Sequence, residues 1–451
     1  MTTPEATPDF SGPAALDKNE KTSPKRLLGW AMWDWGTQPF NTVIITFVFA
    51  YYITNSGAFG NENYATTRLA WATGLAGLFI ALLAPVLGQN SDRSGRTVRN
   101  LRLQTWLLAA LSASLFFVRP DPSFLWLGLF LLGAGSVVSE IASVNYNATI
   151  DQVATQQTVG RVSGFGWGMG YLGGIMVMIL LLFTLILPDP GIFGVTHDDA
   201  MHVRVAMIIC GIWTLVFTIP AFLVLKDRPR PRAPRIGVVR SYQLVWASIR
   251  GLWTTSRQTV YFLLASALFR DGLAGVFAFG AVLAGGTFGM TFEEVMMFGI
   301  AANVVAGLST IFFGLLDDRL GPKRVILVSL AALVILGLAV FALHSMGPSI
   351  FWILGLTMTA FVGPAQAASR SFLARVIPEG KSGEVFGLYA TTGRAVSFLS
   401  PTLFGAFITL GAWITGEDNT QYWGILGIAL VLIAGLAVMI PVKEHTEHSF
   451  S

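Results

Sequence analysis

Charge is scarce in this sequence. Only 12% of its residues are Asp, Glu, Lys or Arg, against 53% hydrophobic ones and a mean hydropathy of +0.63. Soluble domains carry about 25% charged residues, so this surface cannot meet water on all sides. Cysteine is scarcer still. Cys210 alone, inside an apolar run, excludes an intrachain disulfide framework and a cysteine metal site. The five histidines (His197, His202, His344, His445 and His448) fall in loops, span ends or the C-terminal tail, with no metal-like grouping. No Walker A sequence occurs, which removes ATP as a direct energy source, and no H-E-x-x-H occurs either. With no nucleophile–base pair and no metal set, the chain is not read as an enzyme, and no cofactor is implied.

What is abundant is apolar length. Runs of roughly 20 apolar residues, each able to cross a bilayer core of about 30 Å, recur along the chain. They predict spans at 27–54, 65–88, 101–119, 122–148, 161–187, 204–225, 259–287, 292–316, 325–344, 348–374, 385–410 and 421–441. The 48 glycines and 20 prolines, poor in soluble helices, suit membrane helices that need close backbone approach. The fold class is all-α integral membrane, with 12 transmembrane helices.

Basic residues orient the spans. With the N-terminus inside, one side holds Lys18, Lys21, Lys25 and Arg26, then Arg93, Arg96, Arg99 and Arg102. It also holds the run "KDRPRPRAPR", Arg319, Lys323, Arg324, Arg375 and Lys381. Only Arg68, Arg119 and Arg204 fall on the other side, so both termini are expected to be cytoplasmic. The expected organisation is a polar, Pro-rich disordered tail at 1–26, a six-helix bundle at 27–225 and a basic linker at 226–258. A second bundle at 259–441 and a short tail at 442–451 complete it. The linker's Arg/Pro run suits a topology determinant or contact with anionic lipid headgroups. Its charge gives no reason to expect nucleic acid.

The halves repeat. "GQNSDRSGR" (88–96) returns as "GLLDDRLGPKR" (314–324), with Gly88 to Gly314 and Asp92 to Asp318 both 226 positions apart. "VSGFGWGMG" opening span five echoes "VFGLYATTG" opening span eleven, with Gly164 and Gly387 223 apart. Asp34 in span one and Asp271 in span seven are 237 apart. The halves therefore form two pseudo-symmetric six-helix bundles.

A 6+6 chain with G-x-x-x-D-R-x-G-R between spans two and three resembles the major facilitator superfamily over about residues 27–441. Within it, "WDWGTQPF" (33–40), "YNATIDQV" (146–153), "GRVSGFGWGMGYLGG" (160–174) and "FGLYATTGRAVSFLSPTLFG" (386–405) are similar to one branch. That branch comprises the autophagy-related vacuolar amino-acid effluxers and their bacterial relatives. This chain departs from it at Gly36, Thr37, Gln38, Arg394 and Ser400. The resemblance implies a central cavity lined by spans 1, 4, 7 and 10.

Polar stripes occur on those spans. Asp34, Gln38 and Asn41 share one helical face, as do Ser136, Glu140, Ser143 and Asn147, and Thr359, Gly363, Gln366 and Arg370. Ionised groups within a span are costly and mark pathways or partners. Asp34, Gln38, Asn41, Glu140, Asn147, Asp271, Gln366 and Arg394 are thus the candidates for substrate binding or coupling. Asp34 and Asp271 are read as repeat-related carboxylates facing the cavity, with Arg394 their counter-charge. Arg394 could take the carboxylate of an α-amino acid, and Asp34 or Glu140 its ammonium. Trp33 and Trp35 suit an interfacial belt, which leaves a structural role open for Asp34. The two Asp-Arg loops are expected to latch the cytoplasmic side through Gly88, Asp92, Arg93, Gly95, Arg96, Gly314, Asp318, Arg319 and Glu384. Span five carries small-residue ridges, Gly160–Gly164–Gly168 and Gly166–Gly170–Gly174, both read as packing faces.

The expected function is secondary transport of a small polar solute, amino acids favoured, by alternating access with proton coupling. A drug or organic-cation exporter and a non-transporting receptor or scaffold are the alternatives. Expected partners are the solute, a proton and membrane lipid, with the protein a monomer. The absence of a targeting segment suggests a plasma membrane, with a vacuolar-type membrane the second choice.

Overall fold

The computed structural model describes residues 23–94, 96–154, 159–227, 237–376 and 382–443. All regular structure among them is helical. Backbone N–H and C=O groups have no water to bind in a bilayer core, so each apolar run satisfies its own backbone by coiling. The first half holds α1 (Pro24–Pro39), α2 (Phe49–Asn55), α3 (Glu62–Ser94), α4 (Thr97–Ser114), α5 (Leu125–Asn147), α6 (Val159–Leu181) and α7 (Met201–Val224). Next come α8 (Val238–Thr255), α9 (Arg257–Gly286), α10 (Phe292–Leu320), α11 (Pro322–Ala342) and α12 (Pro348–Val376). The chain closes with α13 (Ser382–Ala395), α14 (Leu399–Thr415) and α15 (Gly424–Met439).

Among the described residues, 10 segments are long and apolar enough to cross a membrane. The two further passages of the 12-helix layout are α1 through α2, whose hydrogen-bond ladder is interrupted, and α4, which carries Arg99 and Arg102. Helix α1 starts at Pro24, inside the stretch read as a tail; residues 1–22 and 444–451 lie outside the described residues.

Packing repeats as the sequence does. In the first bundle α1 packs on α6 and α7, α4 on α5 and α7, and α3 on α5. In the second, α9 packs on α13 and α15, α11 on α12 and α15, and α10 on α12. Span for span these are the same neighbours. The bundles meet through α3 against α13 and α14, and through α6 against α10, which is again a symmetric pair.

The ladder of the first passage breaks for a chemical reason. Pro39 has no N–H to give to the Trp35 carbonyl one turn back. The indole N–H of Trp213 on α7 donates to that oxygen instead, at 3.3 Å. Beyond Pro39 the chain widens into π-helical turns over Phe40–Phe47, and the Val48 N–H reaches back to the Val43 carbonyl at 2.8 Å. Helix α6 closes on this stretch. A Cβ at Gly173 would lie 2.6 Å from the Trp35 carbonyl oxygen and 2.9 Å from its Cα.

Of the two glycine ridges on α6, Gly166–Gly170–Gly174 faces Asp34, Gln38 and Thr42 of the first passage. The second ridge does not pack as expected. Gly164 and Gly168 meet nothing within 4 Å, and the surroundings of Gly160 lie outside the described residues. A glycine ridge spaced for contact needs a partner at its depth, and α1 takes only one of the two faces.

The stretch read as a linker contains a helix. In α8 Leu252 is buried, and the Tyr242 hydroxyl, which donates to the Ala81 and Leu82 carbonyls at 3.0 and 2.9 Å, ties the helix to α3. Val239, Arg240, Trp246 and Arg250 are exposed on the helix. The Arg/Pro run 228–236 lies outside the described residues.

Because its Cβ would meet backbone rather than a movable side chain, Gly173→Ala should destabilise the protein by about 1–3 kcal/mol. Gly168→Ala should leave it unchanged, and thermal unfolding of the two variants in detergent compares them.

Candidate functional site

Asp34 belongs to an aromatic cluster inside the first bundle. The Tyr146 ring of α5 lies between Trp30 and Trp33, with centroids 4.5 and 4.2 Å away. Its hydroxyl donates to the Trp30 carbonyl at 3.3 Å and sits beside the Asp34 carboxylate. Trp33 is only 3% exposed, and its indole N–H donates to Thr105 at 2.9 Å. It is a core residue, not one of an interfacial belt. A Cβ on Gly166 would fall 2.9 Å from Asp34 Oδ2, so α6 has been cut back to glycine to make room for the carboxylate. Gln38 donates to Thr42 at 3.2 Å along the same face, whereas Asn41 is exposed.

Arg394 is not the counter-charge of Asp34 or Asp271. Its Nε–H donates to Glu140 Oε2 at 3.0 Å, with the two side chains 17% and 45% exposed. This pair joins α5 of one bundle to α13 of the other. The last turn of α13 also favours a cation, since helix carbonyls converge there.

Asp271 takes a different role from its repeat partner. It is 5% exposed, and its Oδ2 accepts the Ser400 N–H of α14 at 2.7 Å. Span eleven breaks between α13 and α14, where Ser397 and Leu399 N–H groups turn back to Arg394 and Val396 at 3.2 and 2.9 Å. The break exposes a helix N-terminus within the membrane, and Asp271 caps it. The reading of Asp271 as a cavity carboxylate is corrected accordingly. The repeat pointed to the position, at an offset of 237 beside the 223 and 226 of the other matches, but carried no information about its partner.

The remaining candidates are scattered. Asn147 is exposed at the end of α5 and Gln366 is half-buried on α12. An apolar cavity bounded by Phe47 of the first passage and by Val276, Phe298, Met358 and Ile425 of the second bundle includes Thr359 but none of the charged candidates. Of the latch residues, Arg96 is exposed where α4 begins. Gly95 lies outside the described residues, as do the surroundings of Gly88, Asp92, Arg93, Gly314, Asp318, Arg319 and Glu384, of which only the helical backbone is described.

Two arginines were passed over by sequence reasoning. Arg270 of α9 lies over the Tyr389 ring, 4.1 Å from its centroid, and donates to the Tyr389 carbonyl at 3.0 Å. Arg370 of α12 lies 5.4 Å from the Trp167 ring of α6. The signal was present for Arg370, which ends the stripe through Thr359, Gly363 and Gln366.

At the end of the molecule away from the N-terminus, hydrogen bonds tie the bundles together. Tyr51 donates to the Met290 carbonyl at 3.0 Å, and Gln421 to Thr66 at 2.7 Å. Asn63 exchanges bonds with Thr420 at 2.9 and 2.8 Å, and Asn419 donates to Glu62 at 2.9 Å.

Two six-helix bundles related by a repeat, meeting across charged side chains, define a membrane transporter of the major facilitator type. The crystal structure of a D-xylose–proton symporter superposes with a TM-score of 0.66 at 14% identity, covering 94% of this chain and 97% of that one. Residues 136–448 match the family described as vacuole effluxer Atg22-like, and the chain belongs to it. The MFS-type transporter YxiO of Bacillus subtilis is 25% identical, over 94% of this chain and 96% of its own. Autophagy-related protein 22 of Yarrowia lipolytica is 26% identical over 69% of this chain, which spans about half (54%) of that relative's length.

Asp271→Ala should lower stability by about 0.5–2 kcal/mol through loss of the cap, and Asp271→Asn, which keeps an acceptor, by less. Thermal unfolding in detergent reads the difference. Arg394→Glu places two carboxylates together, and adding Glu140→Arg should restore the pair. Because Glu140 is 45% exposed, a double-mutant cycle should give a coupling of about 1 kcal/mol or less.

Proposed function

We propose that this transporter carries small polar solutes, amino acids first, by alternating access of its two bundles. The observation that carries the reading is the Glu140–Arg394 pair, a charge contact between bundles within the membrane. An ion pair that bridges the two moving bodies must open or exchange partners when they rock. The hydrogen bonds closing the far end supply the second contact that alternation would break. Amino acids follow from the family, not from the pair itself.

Proton coupling rests on Asp34. Among the described residues no cation lies within 4.0 Å of its carboxylate, so a proton can neutralise it without stripping an ion-pair partner. The basic face that carries the N-terminus is assigned to the cytoplasm. The plasma membrane is the favoured location and a vacuolar-type membrane the second. A single chain holds both bundles, and the monomer is taken as the working unit.

Counterflow of radiolabelled amino acids into proteoliposomes, with and without an imposed proton gradient, tests this. Wild-type protein should exchange label and respond to the gradient. Asp34→Asn should lose the gradient response, and Arg394→Gln should lower exchange at least tenfold with folding intact. Exchange of organic cations instead, or ligand binding with no flux, would replace the reading by a drug exporter or a receptor.

A further inference from the structure

Arg270 and Arg370 stand out because no carboxylate among the described residues neutralises them. Among the described residues neither guanidinium lies within 4.0 Å of a carboxylate. Both border the same aromatic residue. Arg270 lies on the Tyr389 ring, while Ser369, next to Arg370 in sequence, shares a 2.8 Å hydrogen bond with the Tyr389 hydroxyl. Tyr389 therefore brings both cations to one region of the structure. An unpaired arginine within a membrane span costs several kcal/mol, and a like charge in the same region adds to that cost.

The geometry holds them in place without satisfying them. Arg270 spends one N–H on the Tyr389 carbonyl and lies across Gly393, where a Cβ would fall 2.8 Å from its Nη1. Arg370 makes no protein hydrogen bond among the described residues and rests against Trp167, which is 50% exposed. Both side chains are half-buried, and none of their guanidinium nitrogens is a sealed, unpartnered atom. Stacking on tyrosine and tryptophan fixes two forks while leaving their edges free. The site is assembled from α9, α12 and α13 of one bundle and α6 of the other.

We propose that Arg270 and Arg370 form an oxyanion site that receives the carboxylate of the transported solute. Two guanidinium forks match a planar carboxylate by paired hydrogen bonds, and one anion offsets charge on both. The site deepens the transport reading and rests on it for the solute's role as cargo. It also moves the carboxylate contact from Arg394, which Glu140 occupies, to this pair. Solutes with a free carboxylate belong to the substrate class, and neutral amides of the same shape do not.

Calorimetric titration of the purified full chain with L-leucine, L-leucinamide, succinate and inorganic phosphate tests the assignment. At least one of the two acids should bind, with leucinamide at least tenfold weaker than leucine where leucine binds. Arg270→Gln and Arg370→Gln should each weaken the binding acid at least tenfold. Arg370→Lys, which keeps the charge but not the fork, should fall between and stands in if a Gln variant does not fold. The proposal is overturned if no acid binds, if leucine and leucinamide bind alike, if phosphate binds more tightly than either acid, or if the variants bind as wild type does. Counterflow separates the two readings: acid binding lost in the variants without any flux keeps the site and sinks the transporter, whereas equal flux of leucine and leucinamide does the reverse.

Discussion

The absence of water around a buried charge or carbonyl governs this protein's interior. Each polar group in a span must find a partner in the protein, in a cavity or in a ligand. The Trp35 carbonyl, deprived of its donor by Pro39, takes the Trp213 indole N–H. The helix end opened by the break in span eleven takes Asp271. Arg204 spends its Nε–H on the Phe116 carbonyl at 2.8 Å and pairs with Asp199 at 2.6 Å. Glu140 and Arg394 satisfy each other across the bundles. Among the described residues Asp34 and the two arginines are charged side chains within the spans that keep no ion-pair partner, and they are where solute and proton are expected.

Repetition built the scaffold, and divergence of partners built the site. The packing of α1 on α6 and α7 is mirrored by that of α9 on α13 and α15. Yet Asp34 sits in an aromatic pocket against glycines, while Asp271, its counterpart in the repeat, is consumed as a helix cap. Two bundles of equal shape thus carry unequal chemistry. Such asymmetry suits a carrier in which one bundle holds the proton and the other the solute.

Architecture was legible in the sequence because it depends on local quantities: apolar length, basic flanks and constant repeat offsets. The passages, the repeat and the family all derive from these. The interruptions were harder to read. Pro39 announces one break, but no residue in "RAVSF" (394–398) forbids a helix, and the break there depends on Asp271, 129 positions before Ser400, to cap α14. Helix α8 was concealed by the Arg/Pro run preceding it, although "VVRSYQLVWASIRGLW" has an amphipathic pattern. Partner choice was the least legible feature. Arg394 could have met any of three carboxylates by sequence, and only the folded structure, which brings it to 3.0 Å from Glu140, selects that one. Arg270 follows the same rule: adjacent helical residues point about 100° apart, so it and Asp271 lead into different environments, and the sequence does not show that Arg270 meets Tyr389.

Helix α13 connects the features that transport would need to couple. Its Tyr389 carbonyl and ring hold Arg270, its Gly393 lies beneath that guanidinium, and the next residue, Arg394, makes the pair with Glu140 of the other bundle. The turn at 396–398 separates α13 from α14, so the Asp271 cap fixes the latter without fixing the former. An anion bound to Arg270 and Arg370 would therefore act on the short helix that carries the contact between bundles. Occupancy of the site and strength of that contact become linked through three residues of one helix, with no longer path required.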